Sequence, residues 1–83
     1  MDYIFSFSSR NGAMRFRDDV TSCGVFAKLV NTPNLAGNGC GLSVKCNDYT
    51  LCRDVLNRGY YQGLRAVYEF DGTEYRSIYN VRN

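Results

Sequence analysis

Apolar positions change their spacing along the chain, and each change marks a predicted element. An aromatic run at residues 3–7 predicts a first strand. A set of apolar residues then recurs at three- and four-residue steps, which is one face of a helix; its members are Ala13, Phe16, Val20 and Cys23. Ser9 or Asn11 is a candidate N-cap for this helix, and Gly24 is expected to end it in a left-handed conformation.

The rest of the chain alternates short strand patterns with one more helix pattern. The predicted elements are a strand at 25–30, a long polar loop at 31–41, a strand at 42–46, a helix capped by Asp48 and closed by Gly59, and strands at 66–70 and 74–79 joined by Asp71-Gly72. Loops as long as 31–41 are uncommon in compact domains and are often functional.

This order of elements predicts one α+β domain over residues 1–83. Two βα units joined by a loop favour the split βαβ, or ferredoxin-like, sandwich (βαββαβ), in which both helices cover one face of the sheet. The expected spatial strand order is 4-1-3-2. The last strand would lie beside the fourth as a C-terminal β-hairpin extension.

Charge and hydropathy narrow the function classes. The net charge is +2, from ten basic and eight acidic residues, which is weak for a nucleic-acid-binding domain. No stretch is apolar for long enough to cross a membrane, and the first residues do not resemble a signal peptide. We therefore expect a soluble, cytoplasmic protein that binds no nucleic acid and no membrane. Its four cysteines would be thiols rather than disulfides.

The predicted topology places one of these thiols, Cys40, near groups that could stabilise its thiolate. If the first two strands run parallel, the loops that follow them lie at the same end of the sheet, and Cys40 is expected near the start of the first helix. Ser9, Arg10 and Asn11 would stabilise a thiolate there. Gly39 and Gly41 flank the sulfur without side chains, so a partner could approach it closely.

The other cysteines are interpreted as small core residues, because Cys23, Cys46 and Cys52 fall on predicted apolar faces. The chain has no Cys-x-x-Cys pair and no histidine, so we expect no metal site and no cofactor. The lack of histidine also removes the commonest general base. A carrier or accessory protein is therefore favoured over an enzyme that acts alone, and Cys40 is the one candidate for covalent chemistry.

Several short segments, in this order and spacing, resemble the family of small bacterial putative selenium/sulfur carrier-protein-like domains. They are Phe7-Ser8-Ser9, Ala13, Gly24-Val25, Lys28-Leu29-Val30, Thr32-Pro33 and Gly39-Cys40-Gly41-Leu42. The resemblance covers about residues 3–59, and the chain departs from it by adding a strand after Asp71-Gly72. A second departure concerns sulfur-relay proteins, in which a proline commonly follows the reactive cysteine; here Gly41 follows Cys40.

The resemblance implies a carrier that accepts sulfur or selenium on Cys40, as a persulfide or its selenium analogue, and passes it between donor and acceptor enzymes. An alternative is a protein-interaction or ligand-binding module without catalysis, which could be a homodimer through the open sheet face. Aromatic side chains on the last two strands would serve that role: Tyr68, Phe70, Tyr75 and Tyr79. Single-stranded RNA binding is disfavoured, since the outward positions of the third strand are Ser43 and Lys45.

Overall fold

The computed structural model describes residues 1–32 and 41–80, which form a five-stranded sheet and two helices. The elements in chain order are β1 (Asp2–Phe7), α1 (Arg10–Ser22), β2 (Ala27–Asn31), β3 (Leu42–Cys46), α2 (Tyr49–Arg58), β4 (Leu64–Phe70) and β5 (Tyr75–Asn80). The predicted α+β class is therefore confirmed. No helix among these residues is long and apolar enough to span a membrane.

The sheet has the strand order β2-β3-β1-β4-β5, and all four neighbouring pairs are antiparallel. Because β1 and β2 both pair antiparallel with β3, they run in the same direction. Phe7 and Asn31, the last residues of β1 and β2, both lie opposite Leu42 at the start of β3. We call this edge the Gly41 end of the sheet, after the residue preceding Leu42. The opposite edge, where β3 finishes, is the Cys46 end.

Both helices pack on one face of the sheet, over a core built largely from aromatic rings. The ring centroids of Phe5 and Phe7 lie 5.0 and 5.6 Å from that of Phe16 in α1, and all three residues are fully buried. Burying a side chain of this size stabilises the fold by about 1.5–3 kcal/mol. These contacts hold the middle of α1 against β1.

Two strands, β2 and β4, begin two residues away from their sequence-based predictions. β2 begins at Ala27 rather than at Val25 because Gly24, with φ +90°, redirects the chain and leaves Phe26 exposed. β4 begins at Leu64, two residues early, since Gly63 already lies against the end of β1. The predicted loop 31–41 falls mostly on residues 33–40, which lie outside the described residues, as does 81–83.

Candidate functional site

The turn between β1 and α1 is fixed by a short set of hydrogen bonds. Ser9 is the N-cap of α1, and its Oγ accepts the Gly12 N–H at 3.2 Å. Its carbonyl oxygen accepts the Ala13 N–H at 3.1 Å. Serine suits this position because its side chain replaces the missing helical partner of a first-turn N–H group. The cap thus sets where α1 begins and which way its first N–H groups point.

Three glycines lie against this turn where a larger residue could not. A Cβ on Gly41, whose φ is +117°, would overlap the Phe7 carbonyl oxygen, and one on Gly12 would overlap the Gln62 carbonyl oxygen. A Cβ on Gly63, at φ +85°, would come within 2.7 Å of the Ser9 nitrogen. Backbone therefore packs directly on backbone here, and the turn is held in place without large side chains.

Ser8 ties the turn to the loop before β4. Its N–H donates to the Gly63 carbonyl oxygen at 2.7 Å, and its Oγ lies 3.4 Å from the same atom. The loop is held to α1 in turn by Tyr61, whose hydroxyl donates to Asp19 Oδ2 at 2.6 Å. Burial and the hydrogen bond to the Asp19 carboxylate together raise the pKa of Tyr61 to about 12, against the attraction of Arg15 and Arg58.

The electrostatics of the α1 N-terminus suit an anion. The first turn contains no acidic residue, and its first two residues, Arg10 and Asn11, are exposed. Helix geometry leaves their N–H groups without intrahelical partners, while the Ser9 side chain takes that of Gly12. The helix dipole adds a partial positive charge at this point. A thiolate, persulfide or phosphate-like group would therefore be stabilised here.

Four of the predicted site residues meet at this edge of the sheet. Ser9, Arg10 and Asn11 form the start of α1, and Gly41 packs on the strand that leads into it. Gly39 and Cys40 lie outside the described residues, so the predicted position of the Cys40 sulfur stays a prediction. The roles of the four described residues as stabilisers of a thiolate likewise stay predictions.

Sequence reasoning missed Gly12 and Gly63, which complete the turn. The available signal was a glycine inside the first turn of a helix, where it weakens the helix unless a close approach requires it. Arg58 is the last residue of α2. Its Nε donates to the Asp54 carbonyl oxygen at 3.3 Å, and it lines a surface depression with Asp19 and Cys23.

The family model described as "Putative Se/S carrier protein-like" matches residues 2–80. The chain belongs to this family. The match extends through β5, so the added C-terminal strand lies within the family's model and is not the departure that the sequence-based resemblance indicated. No curated protein and no solved structure shows a significant match to the chain. The family name points to a sulfur or selenium carrier, and a carrier of that kind works with protein partners.

The remaining cysteines of this family member divide into one exposed residue and one buried pair. Cys23 is exposed, so its interpretation as a core residue was wrong. It is the C-cap of α1, with φ −89° and ψ 5°, and the helix face no longer meets the sheet there. Cys46 and Cys52 are buried as predicted.

The buried pair is in direct contact. The Cys52 Sγ donates a hydrogen bond to the Cys46 Sγ at 2.6 Å. This bond lowers the pKa of the Cys46 thiol below its usual range, with help from the Asp48 backbone, and outweighs the opposing effect of burial. The same bond and the burial raise the pKa of Cys52. The contact thus lowers the pKa of one thiol of the pair and raises that of the other.

The aromatic residues proposed for an open sheet face are mostly satisfied within the fold. Tyr68 is buried with Ile4 and Ala66 in a small second cluster. Phe70 and Tyr75 stack on each other at 4.4 Å between ring centroids. Tyr79, which is 48% exposed, lies opposite Val67 on the helical face of the sheet rather than on the open face. The open face therefore offers less aromatic surface than the sequence predicted.

A cavity of about 400 Å³ lies on the helical side of the sheet, beside α2. Tyr60, which is 79% exposed, and Tyr79 form part of its rim, and Arg53 stacks over the Tyr49 ring at 5.8 Å. Among the residues that the structure describes, no group of three or more His, Cys, Asp or Glu side chains could hold a metal ion.

Proposed function

We propose that the protein is a thiol-based carrier that accepts a sulfur or selenium atom on Cys40 from a donor protein and hands it to an acceptor protein. The carrier would work in the cytoplasm, where thiols stay reduced. We assign the fold to the ferredoxin-like split βαβ class on its strand order, with β5 as the hairpin extension. The site would lie at the Gly41 end of the sheet.

The position of Gly41 is the observation that carries this proposal. Gly41 is joined by a peptide bond to Cys40, and it packs against Phe7 and Ser8, directly before the cap of α1. Consecutive Cα atoms are about 3.8 Å apart, so the chain enters this site immediately after the cysteine. The N-terminus of α1, which has no acidic residue in its first turn, and the Arg10 side chain would favour an anionic sulfur there.

The transfer step needs no external oxidant. The Cys40 thiolate would attack the terminal sulfur of a persulfide on the donor. A new S–S bond forms to Cys40 as the S–S bond of the donor breaks, and the donor cysteine leaves as a thiolate. In the second exchange the acceptor attacks the terminal sulfur of the Cys40 persulfide, and Cys40 leaves as a thiolate. Arg10 and the free N–H groups of α1 would stabilise the persulfide anion between the two steps.

Mass spectrometry after incubation with a cysteine desulfurase and cysteine tests this proposal. We expect the wild-type chain to gain sulfur on Cys40 and the Cys40→Ser chain to gain none. Cys23→Ser is the matched control, because Cys23 is an exposed thiol away from the proposed site, and it should load like wild type. Equal loading of wild type and Cys40→Ser, or loss of loading in Cys23→Ser alone, would refute the carrier assignment.

The cavity beside α2 supports a second candidate, a ligand-binding module. Its exposed tyrosines and the Arg53 guanidinium fit an aromatic ligand with an acidic group. A thermal-shift screen with aromatic carboxylates would test this reading, with Arg53→Ala as the variant that should lose any stabilisation. Size-exclusion chromatography would show in the same samples whether the protein is a homodimer and whether dimerisation survives Cys40→Ser.

A further inference from the structure

The buried sulfur pair lies at the Cys46 end, away from the proposed carrier site. β3 separates the two, and its four steps from Leu42 to Cys46 span about 14 Å at the usual strand rise of roughly 3.4 Å per residue. Cys46 is the last residue of β3, and Cys52 lies in the first turns of α2. The cap of α2, Asp48, separates the two cysteines along the chain.

From this geometry we propose that Cys46 and Cys52 form a dithiol–disulfide couple that is oxidised by small peroxides and is independent of Cys40. The two sulfur atoms, 2.6 Å apart, need to approach by only about half an ångström to reach the disulfide bond length of roughly 2.05 Å. Both residues are held by the core, so the pair is already aligned before any oxidation.

The two thiols have different roles in the reaction. Cys46 lines a cavity open to the surface, whereas Cys52 is fully buried, and the bond from Cys52 lowers the pKa of the Cys46 thiol. The Asp48 backbone N–H supports the negative charge of the Cys46 thiolate. Asp48 and Asp2 oppose it through their carboxylates. Cys46 is therefore the attacking sulfur, and Cys52, which keeps its proton, is the resolving one.

A route for a small oxidant exists at the same place. Cys46 lines a surface cavity of about 130 Å³, and its other lining residues are Asp2, Phe26, Lys28, Lys45 and Asn47. The pair itself is 0–2% exposed, so large disulfides such as oxidised glutathione cannot reach the sulfur atoms. A peroxide of the size of hydrogen peroxide can. The access therefore selects the class of oxidant.

The reaction balances in two steps. Cys46 thiolate attacks a peroxide oxygen, an S–O bond forms, the O–O bond breaks, and the leaving hydroxide takes a proton to become water. Cys52 then attacks the Cys46 sulfur, an S–S bond forms, the S–O bond breaks, and a second water leaves with the Cys52 proton. The two thiols lose two electrons, and the peroxide gains them. A dithiol reductant reverses the change by thiol–disulfide exchange once the pair becomes accessible.

Peptide mapping of the wild-type chain after treatment with one equivalent of hydrogen peroxide tests the couple. After the remaining thiols are blocked, we expect a peptide linked between Cys46 and Cys52 and a loss of two hydrogen atoms per chain. The Cys23→Ser/Cys40→Ser chain should give the same product, although it could carry no sulfur. Recovery of both residues as free thiols, or further oxidation of Cys46 without a link to Cys52, would overturn the proposal.

Single variants test the order of attack. In Cys52→Ala, Cys46 should stop as a sulfenic acid that dimedone traps, whereas in Cys46→Ala the Cys52 thiol should remain unoxidised. Circular dichroism would show whether each variant folds. If either does not, the linked peptide of the wild-type chain still decides the proposal. The assigned roles would be overturned if dimedone trapped a sulfenic acid on Cys52 in Cys46→Ala as fast as peroxide oxidises the pair in the wild-type chain.

Discussion

The two ends of β3 use the same backbone feature in different ways. At the Gly41 end, α1 begins with a neutral cap, Ser9, and has no acidic residue in its first turn. At the Cys46 end, α2 begins with a carboxylate cap, Asp48, whose Oδ1 accepts the Leu51 N–H at 3.1 Å. The second helix start thus has a carboxylate of the chain at its cap, whereas the first has no acidic residue in its cap or first turn.

The two ends also differ in the kind of atoms that pack together. The Gly41 end brings backbone onto backbone through Gly12, Gly41 and Gly63. The Cys46 end packs side chains, including two sulfur atoms in contact. A site made of backbone exposes N–H groups to a ligand, while a site made of packed side chains encloses its reactive atoms. The Gly41 end thus places glycine backbone beside the start of α1, whereas the Cys46 end encloses its two sulfur atoms.

The largest effect is expected from Gly41→Ala, which adds a Cβ where the Phe7 carbonyl oxygen lies and where φ is +117°. Together the unfavourable φ and the overlap should lower the free energy of unfolding by about 3 kcal/mol. Gly72→Ala is the matched control, because Gly72 has φ +101° but nothing within 4 Å of an added Cβ. It should cost only about 1 kcal/mol.

Urea unfolding of both variants measures this difference. Equal losses for the two would mean that the backbone angle alone matters and that the close contact with β1 contributes nothing. A larger loss of unfolding free energy in Gly41→Ala, together with slower sulfur loading on Cys40, would indicate that the packing of Gly41 supports the proposed function. Loading that is unchanged in a folded Gly41→Ala chain would count against the site.

Substitutions of the two helix caps should have smaller effects on stability, and these effects should be similar to each other. Ser9→Ala and Asp48→Ala should each lower the free energy of unfolding by about 1 kcal/mol, since each removes the acceptor of one first-turn N–H group. The two caps differ in charge, and a third variant tests that difference. Asp48→Asn keeps a hydrogen-bond acceptor at the cap but removes the carboxylate that opposes the Cys46 thiolate. Peroxide should therefore oxidise Cys46 faster in Asp48→Asn, and Ser9→Ala should leave that rate unchanged.

Local sequence signals predicted most elements and one edge of the site. Ser9 and Asp48 are caps by chemistry, and the period of the apolar residues shows both helices and most strands. The approach of Gly63 to Ser9 could not be predicted this way, because it depends on contacts across more than fifty residues. Cys23 shows the same limit: its spacing fits the helix face, but the helix runs past the sheet before reaching it.

Tyr61→Phe should lower the free energy of unfolding by about 1 kcal/mol, because it removes the hydrogen bond to Asp19 that holds the loop before β4. The folded-state pKa of Tyr61 is raised from 10.0 to about 12, so its contribution is complete below pH 10 and is lost as the pH rises towards 12. Unfolding free energies of wild type and Tyr61→Phe should therefore converge over that range, and a constant difference would show that Asp19 is not the partner that matters.

The smallest effect is expected from Arg10→Ala, which tests whether the charge at the open helix start reaches Cys40. An exposed charge contributes about 0.5 kcal/mol, which corresponds to roughly a twofold slower alkylation of the Cys40 thiol near neutral pH. Arg76→Ala is the matched control, because Arg76 is an exposed arginine that pairs with Glu69 on β4.

The measurement uses the Cys23→Ser background, in which Cys40 is the only thiol outside the buried pair. Equal rates in both variants would mean that the helix N–H groups act alone, and a Cys40 pKa at the ordinary value of about 8.5 in every chain would mean that the Gly41 end does not activate the thiol.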